Sequence, residues 1–251
     1  MDEGGETWGW DARSLSGPVA GDRWLRLLAV RAEKASTAAW DGPETAEKAI
    51  PATVPRPRLH AVHDWSEADY AYRAELYERV HASSLSKTAL APASIRLPDT
   101  WWTSLRVALA AVASTPTDRT AVRQERLHWA MPQFLETDLD TTVPQWSTTH
   151  ADIQWSNLAG PDLCILDWER WGLAPTGYDE ACLYISSLAV PEIAEQVHET
   201  FREALDSQAG RFSQLVVASE FLQGIQRGNN LELETPLRRH VDSLLEDAQR
   251  Q

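Results

Sequence analysis

The amino-acid sequence predicts an α+β fold, and three observations predict it. Strand-like segments separated by turn residues fill roughly the first eighty positions. Helical spacing takes over from about Pro98 onward. One hairpin-like motif interrupts the helices between His150 and Asp167. Strands first and helices afterwards is the order of an α+β chain, not of alternating βαβ units.

The elements follow in order. Glu6-Thr-Trp-Gly-Trp10, Leu15 to Val19 and Arg23 to Val30 read as three strands, with Asp11, Ser14, Gly17, Pro18 and Gly21-Asp22 in the turns. A helix is expected over Glu44 to Ile50, because Pro43 suits a first turn whose N–H groups lack partners. Val54-Pro-Arg-Pro57 reads as extended chain. His60 to Trp65 and Tyr70 to Tyr77 read as two more strands, the second alternating. Ser83 to Pro92 reads as a polar linker. Trp101, Leu105, Leu109 and Val112 lie at helical spacing behind an Asp99/Thr100 cap. Thr120 to Met131 is expected to be a helix that stops before Pro132. Further helices are expected over Tyr178 to Leu188, along Ile193, Val197, Phe201 and Leu205, over Phe212 to Ile225, and over Pro236 to Ala248 behind a Thr235 cap.

The chemistry-bearing stretch is His150-Ala-Asp152-Ile-Gln-Trp-Ser-Asn157, followed by Leu163-Cys-Ile-Leu-Asp167-Trp168. The ten positions from Asn157 to Asp167 suffice for a tight hairpin between two short strands. Such a hairpin gathers two carboxylates and an amide at one end. Phosphoryl transfer from ATP uses this set: one carboxylate to receive or orient the proton of the attacking hydroxyl, an amide and a carboxylate to hold Mg²⁺. Asp152 is the candidate base, Asn157 a candidate metal ligand and Asp167 the principal one.

The pair of motifs resembles that of the aminoglycoside phosphotransferase and choline kinase group, small-molecule kinases with a protein-kinase-like fold. Tyr178-Asp179 stands where that group tends to start a helix. Ala151 stands where Gly is usual, and Trp155-Ser156 where Pro-Gly is common. The resemblance covers roughly residues 145–190. It implies a small strand-rich nucleotide-binding lobe over 1–82 and a larger helical lobe over 83–251 carrying the catalytic and metal motifs.

The resemblance also implies a phosphate-covering turn and a strand cation. No Gly-x-Gly-x-x-Gly occurs, so the candidate turn is Asp11-Ala-Arg-Ser14, with the Ser14 hydroxyl toward a phosphate; a plain hairpin turn is the other reading. Arg26 is the candidate cation, with Arg23 and Arg31 as alternatives. Alternation sets Arg26 on the face opposite Leu25 and Leu27. Glu47 or Glu44 would pair with it from the following helix. His150 and Asp179 would both support the loop, Asp179 also resembling a first-turn acid that favours a helix start. The implied cofactors are ATP and Mg²⁺, and the implied acceptor is a hydroxylated small molecule, aminoglycoside-like before choline, homoserine, a methylthiosugar or a macrolide. The other class of function is a pseudokinase, a nucleotide-binding or scaffolding chain without transfer activity, motivated by the missing glycine loop and an Arg where Lys is common.

Composition narrows the partners. The 251 residues are 43% hydrophobic and 24% charged, an ordinary globular mixture. The net charge of −14, from 23 basic and 37 acidic side chains, argues against nucleic acid and is compatible with a cationic acceptor. Cys164 and Cys182 fit a reduced compartment, and Cys164 sits in an apolar run as a small core residue. His60 and His63 have no partner at metal-ligand spacing. The acidic start lacks a signal-peptide pattern and no run reaches the ~20 apolar residues of a membrane span, so a cytoplasmic location is expected.

Overall fold

The computed structural model describes residues 6–9, 14–35 and 37–249. The candidate turn residues Asp11, Ala12 and Arg13 lie outside the described residues, as does Trp10. Five antiparallel strands form the first sheet: β1 (Thr7–Trp8), β2 (Ser14–Val19), β3 (Arg23–Arg31), β4 (Leu59–Glu67) and β5 (Tyr70–Glu78). Their order is β1-β2-β3-β5-β4. Gly21 and Asp22 turn β2 into β3 with φ of 77° and 55°, a backbone region open to Gly and tolerated by Asp.

β5 inverts the usual alternation. Ala71, Arg73 and Glu75 are buried, whereas Tyr72, Ala74 and Leu76 on the opposite face stay partly open. The buried face therefore carries charge. It packs toward α1 (Ala38–Ala49), where the Arg73 guanidinium lies 5.7 Å from the Trp40 ring and reaches Glu44. On the open face, His63, Trp65 and Tyr72 stack with centroid separations of 5.8 and 5.2 Å.

The helix expected over Glu44 to Ile50 begins at Ala38, and Pro43 lies inside it. Distant groups hold the extra turn: Arg119 donates to Ala38 O and to Asp41 Oδ1, both at 2.7 Å, and Trp171 Nε1 donates to Gly42 O at 2.9 Å. Local proline rules lose here to partners that arrive from the rest of the fold.

The helical part comprises α2 (Asp99–Ala113), α3 (Gln124–Leu135), α4 (Tyr178–Ile185), α5 (Pro191–Leu205), α6 (Gln208–Gln226) and α7 (Glu234–Gln249). The Ile193, Val197, Phe201 and Leu205 stripe is buried throughout. α3 does not stop at Pro132 but runs through it, and Phe134 and Leu135 in its last turn are buried. Their burial offsets the lost backbone bond. The Asp99/Thr100 and Thr235 caps are not formed: Pro98 is the cap of α2 and makes no side-chain cap bond, and Thr235 lies within α7.

Small strands carry the motif region between α3 and α4. β7 (Trp146–Thr149) pairs with β10 (Gly172–Pro175), and β6 (Ser83–Ser84) flanks β8 (Leu158–Gly160), which pairs with β9 (Cys164–Ile165). The hairpin expected between Asn157 and Asp167 is β8–β9. Tryptophans wall it in. Trp101, Trp102 and Trp155 meet edge to face at 5.0 and 6.2 Å, and Trp101 Nε1 donates to Ala159 O at 3.0 Å. The buried indoles of Trp101, Trp155, Trp168 and Trp171 each donate their N–H to a protein oxygen. Cys164 and Cys182 are both buried and free, and burial pushes the Cys164 thiol up to about 12.

Candidate active site

β7 delivers the chain to His150 and Ala151, where it turns sharply. Ala151 has φ of 64°, the left-handed region, which explains why Gly is the easier residue here. The turn is held from α4. The Asp179 carboxylate accepts the N–H of His150 at 2.7 Å and of Ala151 at 2.9 Å. Burial, with Glu180 nearby, pushes the Asp179 carboxyl up to about 8, and the two N–H donors pull the other way. His150 is fully buried, and its Nε2 lies 2.9 Å from Leu166 O. Burial lowers its pKa to about 4, so the neutral ring carries its proton on Nε2 and donates it to that carbonyl. The imidazole ties the loop to the residue that follows β9.

Asp152 follows with both oxygens engaged. Oδ1 accepts from Gln154 Nε2 at 2.6 Å and Oδ2 from Asn157 Nδ2 at 2.9 Å. Burial pushes its carboxyl up to about 6; Arg170 opposes the rise and Asp167 adds to it. Asn157 also donates to Asp152 O at 2.9 Å. All its donations come from Nδ2, which leaves Oδ1 as the atom to meet a cation.

The β8–β9 hairpin brings the second motif alongside. Leu166 N–H donates to Asn157 O at 2.8 Å, so Asp167 stands one residue past the partner of Asn157. Asp167 has φ of 63° and a side chain 40% exposed, the most open of the three groups. Asp167 and Asn157 supply one carboxylate and one amide oxygen. No group of three or more His, Cys, Asp or Glu side chains suited to a metal ion occurs among the described residues. Such a sparse oxygen set fits Mg²⁺, which keeps its waters and shares substrate phosphates instead of filling a protein cage.

Arg26 points from β3 into this cleft. Its guanidinium is 3.6 Å from Asp167 Oδ1 and 3.6 Å from Glu75 Oε2, and it is ion-paired with Glu169. The expected pairing with Glu47 or Glu44 is not formed. Glu47 accepts from Arg58 Nε at 2.8 Å and from Leu59 N–H at 3.3 Å, and it lies 3.5 Å from Arg56. Glu44 bonds Lys48 and Arg73. The strand register explains the difference. Arg26 faces Glu75 directly across the sheet, so an acid on the neighbouring strand meets it before the helix can. Ser14 pairs with Leu28 and so shares the Arg26 face, but its hydroxyl rests against the α-carbon of Gly9.

Two groups escaped the sequence reading. Arg170 acts electrostatically on Asp152, Tyr178 and Glu220, and the Tyr178 hydroxyl donates to Glu220 Oε2 at 2.7 Å. Only its place three residues after Asp167 could have marked it. Glu75 read as a strand residue, because nothing in the alternation says which face is buried.

No protein-family model matches the sequence, and no curated protein does. Solved structures do match in shape. A thermostable mutant of the aminoglycoside phosphotransferase APH(4)-Ia superposes with a TM-score of 0.65 at 14% identity, covering 97% of this chain and 94% of that one. An amicoumacin kinase in complex with AMP-PNP, Ca²⁺ and its ligand gives 0.59 at 11%, covering 96% and 88%. The choline kinase LicA from Streptococcus pneumoniae gives 0.58 at 11%, covering 96% and 92%. The fold is that of small-molecule kinases, an α+β protein-kinase-like architecture. Within it, the chain has the shape of the aminoglycoside phosphotransferases and their amicoumacin and choline kinase neighbours.

Proposed function

We propose that this chain is an ATP- and Mg²⁺-dependent phosphotransferase acting on a hydroxyl of a small molecule. The observation that carries the reading is the Asp152–Asn157 hydrogen bond, set beside Asp167 by one hairpin and faced by Arg26 at 3.6 Å. The nucleotide would lie between the sheet-bearing segment 1–82 and the helical segment 83–251. Asp167 and Asn157 would hold Mg²⁺, which when bound neutralises charge on the phosphate oxygens. Arg26 grips phosphate oxygens through its planar fork once they displace Glu169. Ser14 would sit at the phosphate-covering turn. Glu47, clamped to Arg58, would brace α1 rather than touch the nucleotide.

Asp152 orients the acceptor hydroxyl and takes its proton. Gln154 and Asn157 hold the carboxylate in place for that step. The rate would come from positioning and charge neutralisation rather than a covalent intermediate. Solved neighbours of this shape hold AMP-PNP with hygromycin B, and GDP with kanamycin. Together with the net charge of −14, they favour an aminoglycoside-like cationic acceptor for this chain.

The test is ATP consumption with a panel of aminoglycosides, choline and homoserine, with and without Mg²⁺, and mass spectrometry for an added phosphoryl group. A metal-dependent product with one acceptor supports the reading. Tight Mg²⁺-nucleotide binding with no product from any acceptor returns the pseudokinase alternative.

A further inference from the structure

Arg26 and Glu75 form a cross-strand pair on the buried face of the sheet. Glu75 is 1% exposed, and a carboxylate so placed is stable only when paired and hydrogen-bonded. It has three partners. Arg26 Nη1 lies 3.6 Å from Oε2, the Tyr77 hydroxyl donates to Oε2 at 2.9 Å, and Arg73 Nε donates to Oε1 at 3.1 Å. Arg73 is equally buried and carries the connection outward. Its Nη2 donates to Glu44 Oε2 on α1 at 3.3 Å, and its Nη1 to Asp64 on β4 at 3.0 Å.

A continuous line of alternating charge thus runs Glu44–Arg73–Glu75–Arg26. It joins α1 to the cleft through two buried residues, where a direct helix–strand ion pair was expected. The Arg26 guanidinium sets Nη1 between Glu75 and Asp167, 3.6 Å from each, and turns Nη2 to Glu169. Charges in such a dry network are not independent, because neutralising one leaves its neighbour partly unpaired and moves it.

We propose that Glu75 is the positioning residue for Arg26, and that the Glu44–Arg73–Glu75 line couples the placement of α1 to nucleotide binding in the cleft. The proposal rests on the reading of Arg26 as the phosphate cation. Withdrawal of Glu44 leaves Arg73 to Glu75 and Asp64 alone, which draws Glu75 toward Arg73 and weakens the contact that aims Arg26.

The experiment measures Kd for Mg²⁺·AMP-PNP by calorimetry, with KM for ATP and kcat beside it. Glu44 is 40% exposed, so Glu44→Gln folds. Its Kd and KM should rise roughly three- to thirty-fold, the range of couplings carried through such networks, with a smaller change in kcat at saturating ATP. Tyr77→Phe, which strips one bond from Glu75, should move Kd in the same direction. Lys48→Met removes the other Glu44 partner and should leave Kd at the parent value. In an Arg26→Ala background, Glu44→Gln should have no further effect, which a merely structural role would not produce. Two results overturn the coupling while leaving the Arg26 reading intact. One is parent-like Kd in both Glu44→Gln and Tyr77→Phe when Arg26→Ala weakens binding. The other is a loss confined to Glu47→Gln, which would route the coupling through Arg58. Unchanged affinity in Arg26→Ala overturns the phosphate-cation reading, and the coupling with it.

Discussion

The Asp179 carboxylate holds the backbone N–H of Ala151 at 2.9 Å while that residue sits at φ of 64°. A second oxygen takes the N–H of His150, so one side chain on α4 supports the whole bend of the loop that presents Asp152. Asp179→Ala would strand two buried donors. Each costs about 1–3 kcal/mol, so denaturant unfolding should show a loss of about 2–6 kcal/mol. A loss under 1 kcal/mol would mean that water or another group replaces the carboxylate.

His150 makes stability depend on pH. Its folded pKa of about 4 lies below the ordinary 6.5, because burial disfavours the charged ring. The unfolded chain therefore binds more protons between those values. The His150 contribution is complete above about pH 6.5 and is lost as pH falls toward 4, a total on the order of 3 kcal/mol. His240, lowered to about 4 by burial and by His198, acts in the same direction. Unfolding free energy measured from pH 7 to pH 4 should fall more steeply in the parent than in His150→Gln. Parallel curves would place the titration elsewhere.

Asp152→Asn should separate chemistry from binding. Asn cannot take the acceptor proton, so turnover should drop by ~10²-fold or more. Affinity for Mg²⁺·AMP-PNP should stay near the parent value, since the change lies on the acceptor side. Undiminished turnover would assign the proton transfer to another group.

Asp167→Asn is the cleaner metal variant, because Asn tolerates the left-handed backbone that Asp167 adopts at φ of 63°. The thermal midpoint without ligand should be unchanged. The rise produced by Mg²⁺ with nucleotide should vanish. A full Mg²⁺-dependent rise in this variant would remove Asp167 from the metal site.

Gly42 meets the loop after Asp167 at close range. A Cβ there would stand 2.2 Å from Glu169 O, a backbone atom that cannot swing aside. Gly42→Ala should cost about 1–3 kcal/mol of stability by overpacking and weaken Mg²⁺·AMP-PNP binding by displacing Glu169. Parent-like stability would show that α1 and this loop can part without cost.

Local order was written in local spacing. The α+β class, the four-residue stripe of α5 and the hairpin that sets Asn157 beside Leu166 and Asp167 all depend on residues within a few turns of one another, so periodicity and turn length sufficed to read them. Long-range partners were not written there. Pro43 and Pro132 read as boundaries, yet Arg119 and Trp171 hold the early turn of α1, and the burial of Phe134 and Leu135 carries α3 onward. The partner of Arg26 was sought on the helix. The sheet register and the choice of buried face placed it on β5 instead, because alternation shows that two faces differ but not which one the rest of the chain will cover. For this protein, the sequence alone determined which oxygen-bearing groups travel together, and only the tertiary structure decided which charges they meet, since a charge pairs with whatever the fold brings within a few ångströms.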